Sequence, residues 1–275
     1  MEISASHDAK THKRGIAMRL LQIFLIFLFS LRVLLSAKQE SKFIEDLKRF
    51  EDRYSLKVTF GMPPFSDIAH ESIECKEPSV LDVDRFLPLF FFEFNLYPPD
   101  FVKAAGLKNV VFCKKLTSNN APAAGIADIV NDTVYFEVSQ GVYDRWYVQK
   151  TIHHEFFHQV DFHDDKFVAD QEWTDLNPPG IDYVSKRKFM KFPGFFVYDA
   201  VNQGFLNQYS LTGPEEDKAE FFSEMMLNYG VMEERAKKDQ AVELKMQLLK
   251  DRLKKFCPSI DDAFWDKTAA LYRGF

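Results

Sequence analysis

Within the 275 residues, one short arrangement has the residue types and spacing for hydrolytic chemistry: His154-Glu155-Phe156-Phe157-His158. Residues four apart on an α-helix lie one above the other, so His154 and His158 would project from one face. Two imidazoles at that spacing can close on a zinc ion, and the glutamate one step round can handle a water proton. On this reading His154 and His158 are metal ligands and Glu155 is a general base. The competing reading is a helix that carries two histidines by chance.

A catalytic zinc takes three protein ligands and keeps a position open for water. His163 is close, but a metzincin places its third histidine six residues after the second, with a glycine between. Asp164 stands at that place and no glycine lies between His158 and His163, so His163 reads as a surface residue at the helix end. His153 is about 100° round the helix from His154, which makes it a packing or rim residue. The better source is Pro214-Glu-Glu-Asp-Lys-Ala-Glu220-Phe-Phe-Ser-Glu224, where Glu216, Glu220 and Glu224 recur at i, i+4 and i+8 on one helix face. Glu220 as the third ligand leaves Glu224 one turn on, able to accept a hydrogen bond from a ligand imidazole. The bland alternative is a solvated acidic face near a helix N-terminus. Asp161, three residues after His158, can hold that imidazole in its ligating tautomer.

These two segments resemble the gluzincin metallopeptidases, and within them the catalytic domain of anthrax lethal factor and bacterial secreted zinc-binding metallopeptidases. The resemblance rests on His154-Glu-Phe-x-His158-x-Val-Asp161 and on Ala219-Glu220-Phe-Phe-x-Glu224. It implies His154, His158 and Glu220 as zinc ligands, Glu155 as general base and Glu224 as a supporting carboxylate. It further implies a tyrosine ahead of the glutamate helix that stabilises the oxyanion. Tyr209 is the matching residue, although it lies farther from Glu220 than that pattern suggests.

The expected activity is zinc-dependent peptide hydrolysis, with Zn²⁺ polarising the scissile carbonyl and Glu155 activating the zinc-bound water. Two other readings compete with it. One is a non-catalytic zincin-like binding module that keeps zinc as a structural staple, against which an intact Glu155 argues. The other is a zinc hydrolase of non-peptide amides.

The elements that must position these groups follow from periodicity. The motif helix is expected from about Asp144 to Phe162, with Val148, Ile152, Phe156 and Val160 as an i, i+4 apolar stripe. His154 lies about 200° from Ile152, so the histidines should face away from that stripe, into a cleft. Before it, residues 40–53 and 79–96 read as helices and Pro99–Ala105 as a short helical turn. Residues 54–60, 110–116, 125–130 and 132–138 read as strands. Asn131-Asp132-Thr133 matches a glycosylation sequon, but an Asn-Asp turn is the commoner meaning. Residues 164–212 form a long irregular section. Pro214 opens the glutamate helix, which should run to about Tyr229; 232–256 and 262–272 complete the chain as helices, the last capped by Ser259. The expected fold is α+β and zincin-like: a small mixed sheet packed on the active-site helix (38–163), then a mainly helical part (164–275) of the same domain.

Composition fits a globular protein, 46% hydrophobic and 28% charged, and its 29 Phe point to an aromatic core. Residues 1–37 stand apart. Lys13, Arg14 and Arg19 precede the uncharged run Leu20–Leu31, and Ser36-Ala37 follow, which is the layout of a secretory signal peptide. An uncleaved membrane anchor is the alternative, because Val33-Leu34-Leu35 could extend the run beyond Arg32. The protein is therefore expected to be secreted or periplasmic, meeting a membrane only if that segment is retained. Residues 1–37 carry a net +3, so the remainder carries −9, a poor match for nucleic acid. The expected partner is a peptide or protein substrate. Cys75, Cys113 and Cys257 allow one disulfide and a free thiol, without fixing the pair.

Overall fold

The computed structural model describes residues 42–62, 73–139, 144–164, 170–184 and 203–272. The expected N-terminal signal or anchor lies outside the described residues, as do parts of the irregular 164–212 section. Among the described residues no helix is long and apolar enough to cross a membrane. The chain divides into two units, residues 1–50 and 51–275. In the first, residues 42–50 are helical, opening a helix (α1) that continues to 54, and Arg49 pairs with Asp46 across one turn at 2.6 Å.

The second unit is α+β. Its main sheet has the order β1 (Lys57–Phe60), β3 (Asn109–Ser118), β6 (Thr133–Glu137), β5 (Gly125–Asp128). β1, β3 and β6 run parallel, and β5 is antiparallel at the edge. β6 is buried at all five positions, which is why its sequence reads as a continuous Thr-Val-Tyr-Phe-Glu run. β3 outruns the sheet: its second half, around Lys115 with φ 57°, pairs with β2 (Ile73–Lys76), and its end pairs with β4 (Ala121–Pro122). Asn119 and Asn120, both with positive φ, make the tight turn between β3 and β4. A disulfide joins Cys75 on β2 to Cys113 on β3, and Cys257 is the buried free thiol. In the sequon turn, Asn131 Nδ2 donates to Asp128 Oδ2 at 2.7 Å and Thr133 is fully buried, so the turn meaning is the one the structure displays.

Helix α2 (Val80–Phe94) starts in a capping box, Ser79 with Asp82, and α3 is Pro99–Ala104. Phe86, Phe90 and Phe94 of α2 stack at i, i+4, i+8 and meet Phe112 and Phe136 of the sheet and Phe156 of the motif helix. The aromatic core expected from the phenylalanine count is thus real, and it lies between α2, the sheet and the motif helix.

The motif helix α4 (Arg145–His163) is capped by Asp144, which accepts from Tyr147 N at 3.1 Å. Its apolar stripe is buried as expected, but so is the face opposite, because α6 (Pro214–Ala236) packs across it. Phe157, beside the histidines, stacks on Phe222 of α6 at 4.9 Å. Between these helices, α5 (Gln171–Thr174) is short and a 3-10 turn spans Ser210–Thr212. The helical C-terminal part differs from expectation in two ways. α6 runs past Tyr229 with a kink at Asn228, and the true break is at Lys237–Asp239, where Asp239 caps α7 (Gln240–Phe256). The last helix, α8 (Asp262–Tyr272), is capped by Asp261, which accepts from Phe264 N, while Ser259 is bonded to Asp100.

Candidate metal centre

The histidines and the glutamate row meet where α4 crosses α6. His154 and His158 turn their Nε2 atoms to within 3.1 Å of each other. Glu216 Oε2 closes the triangle, 3.0 Å from His154 Nε2 and 3.4 Å from His158 Nε2. Zinc–ligand bonds of about 2.0–2.2 Å in a tetrahedron imply ligand–ligand edges of about 3.3–3.6 Å, so three such atoms nearly fit the face of one zinc site. Among the described residues this is the group of donors positioned to hold a metal, and all three are buried.

Glu216 therefore stands where Glu220 was expected. Glu220 lies one turn farther along α6 and meets the other ring nitrogen, Oε1 to His154 Nδ1 at 3.1 Å. That contact favours a proton on Nδ1 and leaves the Nε2 lone pair for a metal. Glu220 Oε2 is held by Lys150 Nζ at 2.5 Å and by the Asn207 side-chain amide. Glu224, expected on a ligand imidazole, instead pairs with Lys150 at 3.3 Å and accepts from Asn228 Nδ2 at 2.8 Å. Asp161 accepts from Lys218 Nζ at 2.7 Å and also interacts electrostatically with His158. The sequence places all three glutamates on one face but cannot fix which is level with the histidines, since one turn of slippage between helices leaves the pattern unchanged.

The electrostatics suit a cation. Burial works against a charged His154, yet hydrogen bonds to Glu216 and Glu220 push its pKa up to about 10. Burial likewise opposes the Glu216 carboxylate, but the two imidazoles hold its pKa well below the usual range. Glu220 behaves the same way, brought to about 2 by the Lys150 charge and His154 against burial.

Tyr209, just before the 3-10 turn, lies with its ring 5.7 Å from the His154 ring. Counted to Glu216, its separation along the chain is one helical turn shorter than to Glu220. Burial raises its phenol pKa well above 10, and the Glu216 and Glu155 carboxylates add to this, so it remains a neutral donor. Glu155 is half-buried under the edge strand: a Cβ on Gly125 would fall 2.4 Å from Glu155 Cγ. Gly125 is thus a close-approach glycine as well as the start of the strand.

The neighbouring histidines are structural. His153 is fully buried, bonded to Glu93 Oε2 at 3.0 Å and to the Tyr97 hydroxyl, and Gln149 and Tyr272 also reach Glu93. His163 bonds the Gln159 carbonyl at 2.9 Å and packs against Gly106, away from the triangle.

A crystal structure described as a putative zinc-binding metallo-peptidase from Bacteroides caccae superimposes with a TM-score of 0.54. It covers 86% of this chain and 92% of its own, at 18% sequence identity, which speaks for the fold. None of the curated proteins matches. The profile of a family described as "Putative zinc-binding metallo-peptidase" matches residues 94–254, from the end of α2 through both site helices and most of α7. That span exceeds half of the sequence, and the chain belongs to this zinc-binding metallopeptidase family.

Proposed function

We propose that the protein is a zinc-dependent peptidase whose metal is held by His154, His158 and Glu216, with Glu155 as general base. The observation that carries this reading is the triangle of two Nε2 atoms and one carboxylate oxygen, 3.0–3.4 Å on a side, beside an intact glutamate. Zinc at that position would polarise a scissile carbonyl and acidify a water. The chain's own groups then divide the work. Glu155 takes the proton of the attacking water and passes it to the leaving amine. Tyr209, a neutral phenol beside His154, donates to the oxygen on which negative charge develops. Glu220 keeps the proton of His154 on Nδ1, and Lys150 and Asn207 hold Glu220.

A peptide, rather than another amide, is favoured by the edge strand. β5 pairs with β6 on one side, and at Gly125 its backbone reaches Glu155. An extended peptide adding to the other side of β5 would bring main-chain carbonyls past that carboxylate. An exported enzyme is part of the proposal, supported by the basic-then-apolar residues 1–37 and by the Cys75–Cys113 disulfide.

The test measures bound zinc and peptide hydrolysis in wild type and Glu155→Gln. One zinc per chain in both, with hydrolysis only in wild type, is expected. Zinc in both with no cleavage of a diverse peptide library would favour a binding module, and wild type without stoichiometric zinc would remove the site.

A further inference from the structure

We propose that Lys150 is a positioning residue that decides which glutamate of the 216/220/224 row faces the metal. The proposal rests on the zinc-site reading above and extends it to a residue that touches neither metal nor substrate.

Three carboxylates at i, i+4, i+8 line one face of α6, all buried, with Glu155 nearby. Buried carboxylates without cationic partners are costly and repel one another. Lys150 answers two of them. Its side chain is 4% exposed, and Nζ lies 2.5 Å from Glu220 Oε2 and 3.3 Å from Glu224 Oε1. The Trp146 ring, 5.0 Å from Nζ, backs the ammonium. Burial alone would neutralise this lysine, but the two glutamates raise its pKa, so it stays cationic. The remaining oxygens are also assigned: Glu220 Oε1 to His154 Nδ1, Glu224 Oε2 to Asn228. Lys150 stands one turn before His154 on α4, so a single helix face carries both the cation that claims Glu220 and Glu224 and the imidazole that meets Glu216. Pinned this way, Glu220 acts on the Nδ1 side of His154 and Glu216 on the Nε2 side. Without the lysine charge, Glu220 is free to turn toward the metal, which loosens His154.

The experiment titrates the full chain with Zn²⁺ against a chromophoric chelator and records the visible spectrum of the Co²⁺-loaded protein. The variants are wild type, Lys150→Met, Lys150→Arg, Glu220→Gln and Lys150→Met/Glu220→Gln. Lys150→Met should weaken zinc about 10–100-fold, as loss of a ligand's supporting shell does, and shift the cobalt bands; Lys150→Arg should recover part of both. If Lys150 acts through Glu220, the double variant should lose no more than the worse single one. Should Lys150→Met not fold, Lys150→Met/Glu224→Gln removes one charge of each sign and should show the same cobalt shift. A folded Lys150→Met protein with wild-type zinc affinity and spectrum, or fully additive losses, overturns the proposal. Wild type that binds neither metal overturns the zinc reading itself, and this proposal with it.

Discussion

Replacing Glu216 with Ala should release zinc more severely than replacing Glu220 with Gln. Glu216→Ala removes one corner of the triangle, leaving two imidazoles 3.1 Å apart. If a complete site binds zinc with about 10–16 kcal/mol, an even share for each of four ligands is about 2.5–4 kcal/mol. That corresponds to roughly 70- to 1,000-fold in affinity. Glu220→Gln keeps all three corners and only exchanges a charged acceptor for an amide at His154 Nδ1, a loss of about 10- to 100-fold. Competition with a chromophoric zinc chelator reads both constants. The pH must be fixed, because His154 sits near pKa 10 in the metal-free protein and must give up a proton to bind. Apparent affinity should therefore rise with pH below about 10. The same shift implies that His154 protonation stabilises the metal-free fold fully below its unfolded pKa of about 6.5, and that this contribution is lost as pH climbs through about 10. If Glu220→Gln loses more zinc than Glu216→Ala, the ligand assignment is wrong and Glu220 is the third ligand.

Other parts of the molecule give further expectations. Gly125→Val should cut peptide hydrolysis sharply while zinc content stays at wild type, because its Cβ would collide with Glu155 Cγ; unchanged turnover would show that β5 does not press on the general base. Asp170→Ala should destabilise the fold by about 1–3 kcal/mol in urea unfolding, since it removes the buried carboxylate shared by Lys218 and Arg252 and leaves them only Asp161 and Glu172. The pKa of Asp170 is lowered, with burial outweighed by Arg252 and Lys218, so its contribution is present above pH about 4 and fades as pH falls; the variant and wild type should converge in acid. Replacing Cys75 and Cys113 together by Ala opens a 38-residue separation and should cost about 4 kcal/mol of stability, read as a lower Tm.

Much of this arrangement was legible in the sequence, and the gaps have physical causes. The motif helix, the four strands of the main sheet and the helices at 80–94 and 262–272 follow from apolar period and end signals, which are local. Side-to-side register between α4 and α6 is not local. Nothing in Glu216-x-x-x-Glu220-x-x-x-Glu224 says which turn meets the histidines, and the residues that hold Glu220, Lys150 and Asn207, come from other segments. A lysine four residues before His154 was the available signal, for it shares the histidine face. Amphipathicity shows one apolar stripe on α4, and the histidine face opposite is covered by α6, where Phe157 stacks on Phe222. Helix ends were misread where a competing cap won: Asp239 and Asp261 bind backbone N–H groups, while Ser259 goes to Asp100. The disulfide pair needed the β2–β3 pairing, which short strands do not announce.

The proposed zinc ion is held by His154, His158 and Glu216. Anomalous diffraction at the zinc edge from crystals of the full chain tests it most directly. One peak per chain is expected, about 2.0–2.2 Å from both Nε2 atoms and a Glu216 oxygen, with Glu220 on His154 Nδ1. A peak bonded to Glu220 instead of Glu216, or no peak between the histidines in crystals grown with zinc, would contradict the account.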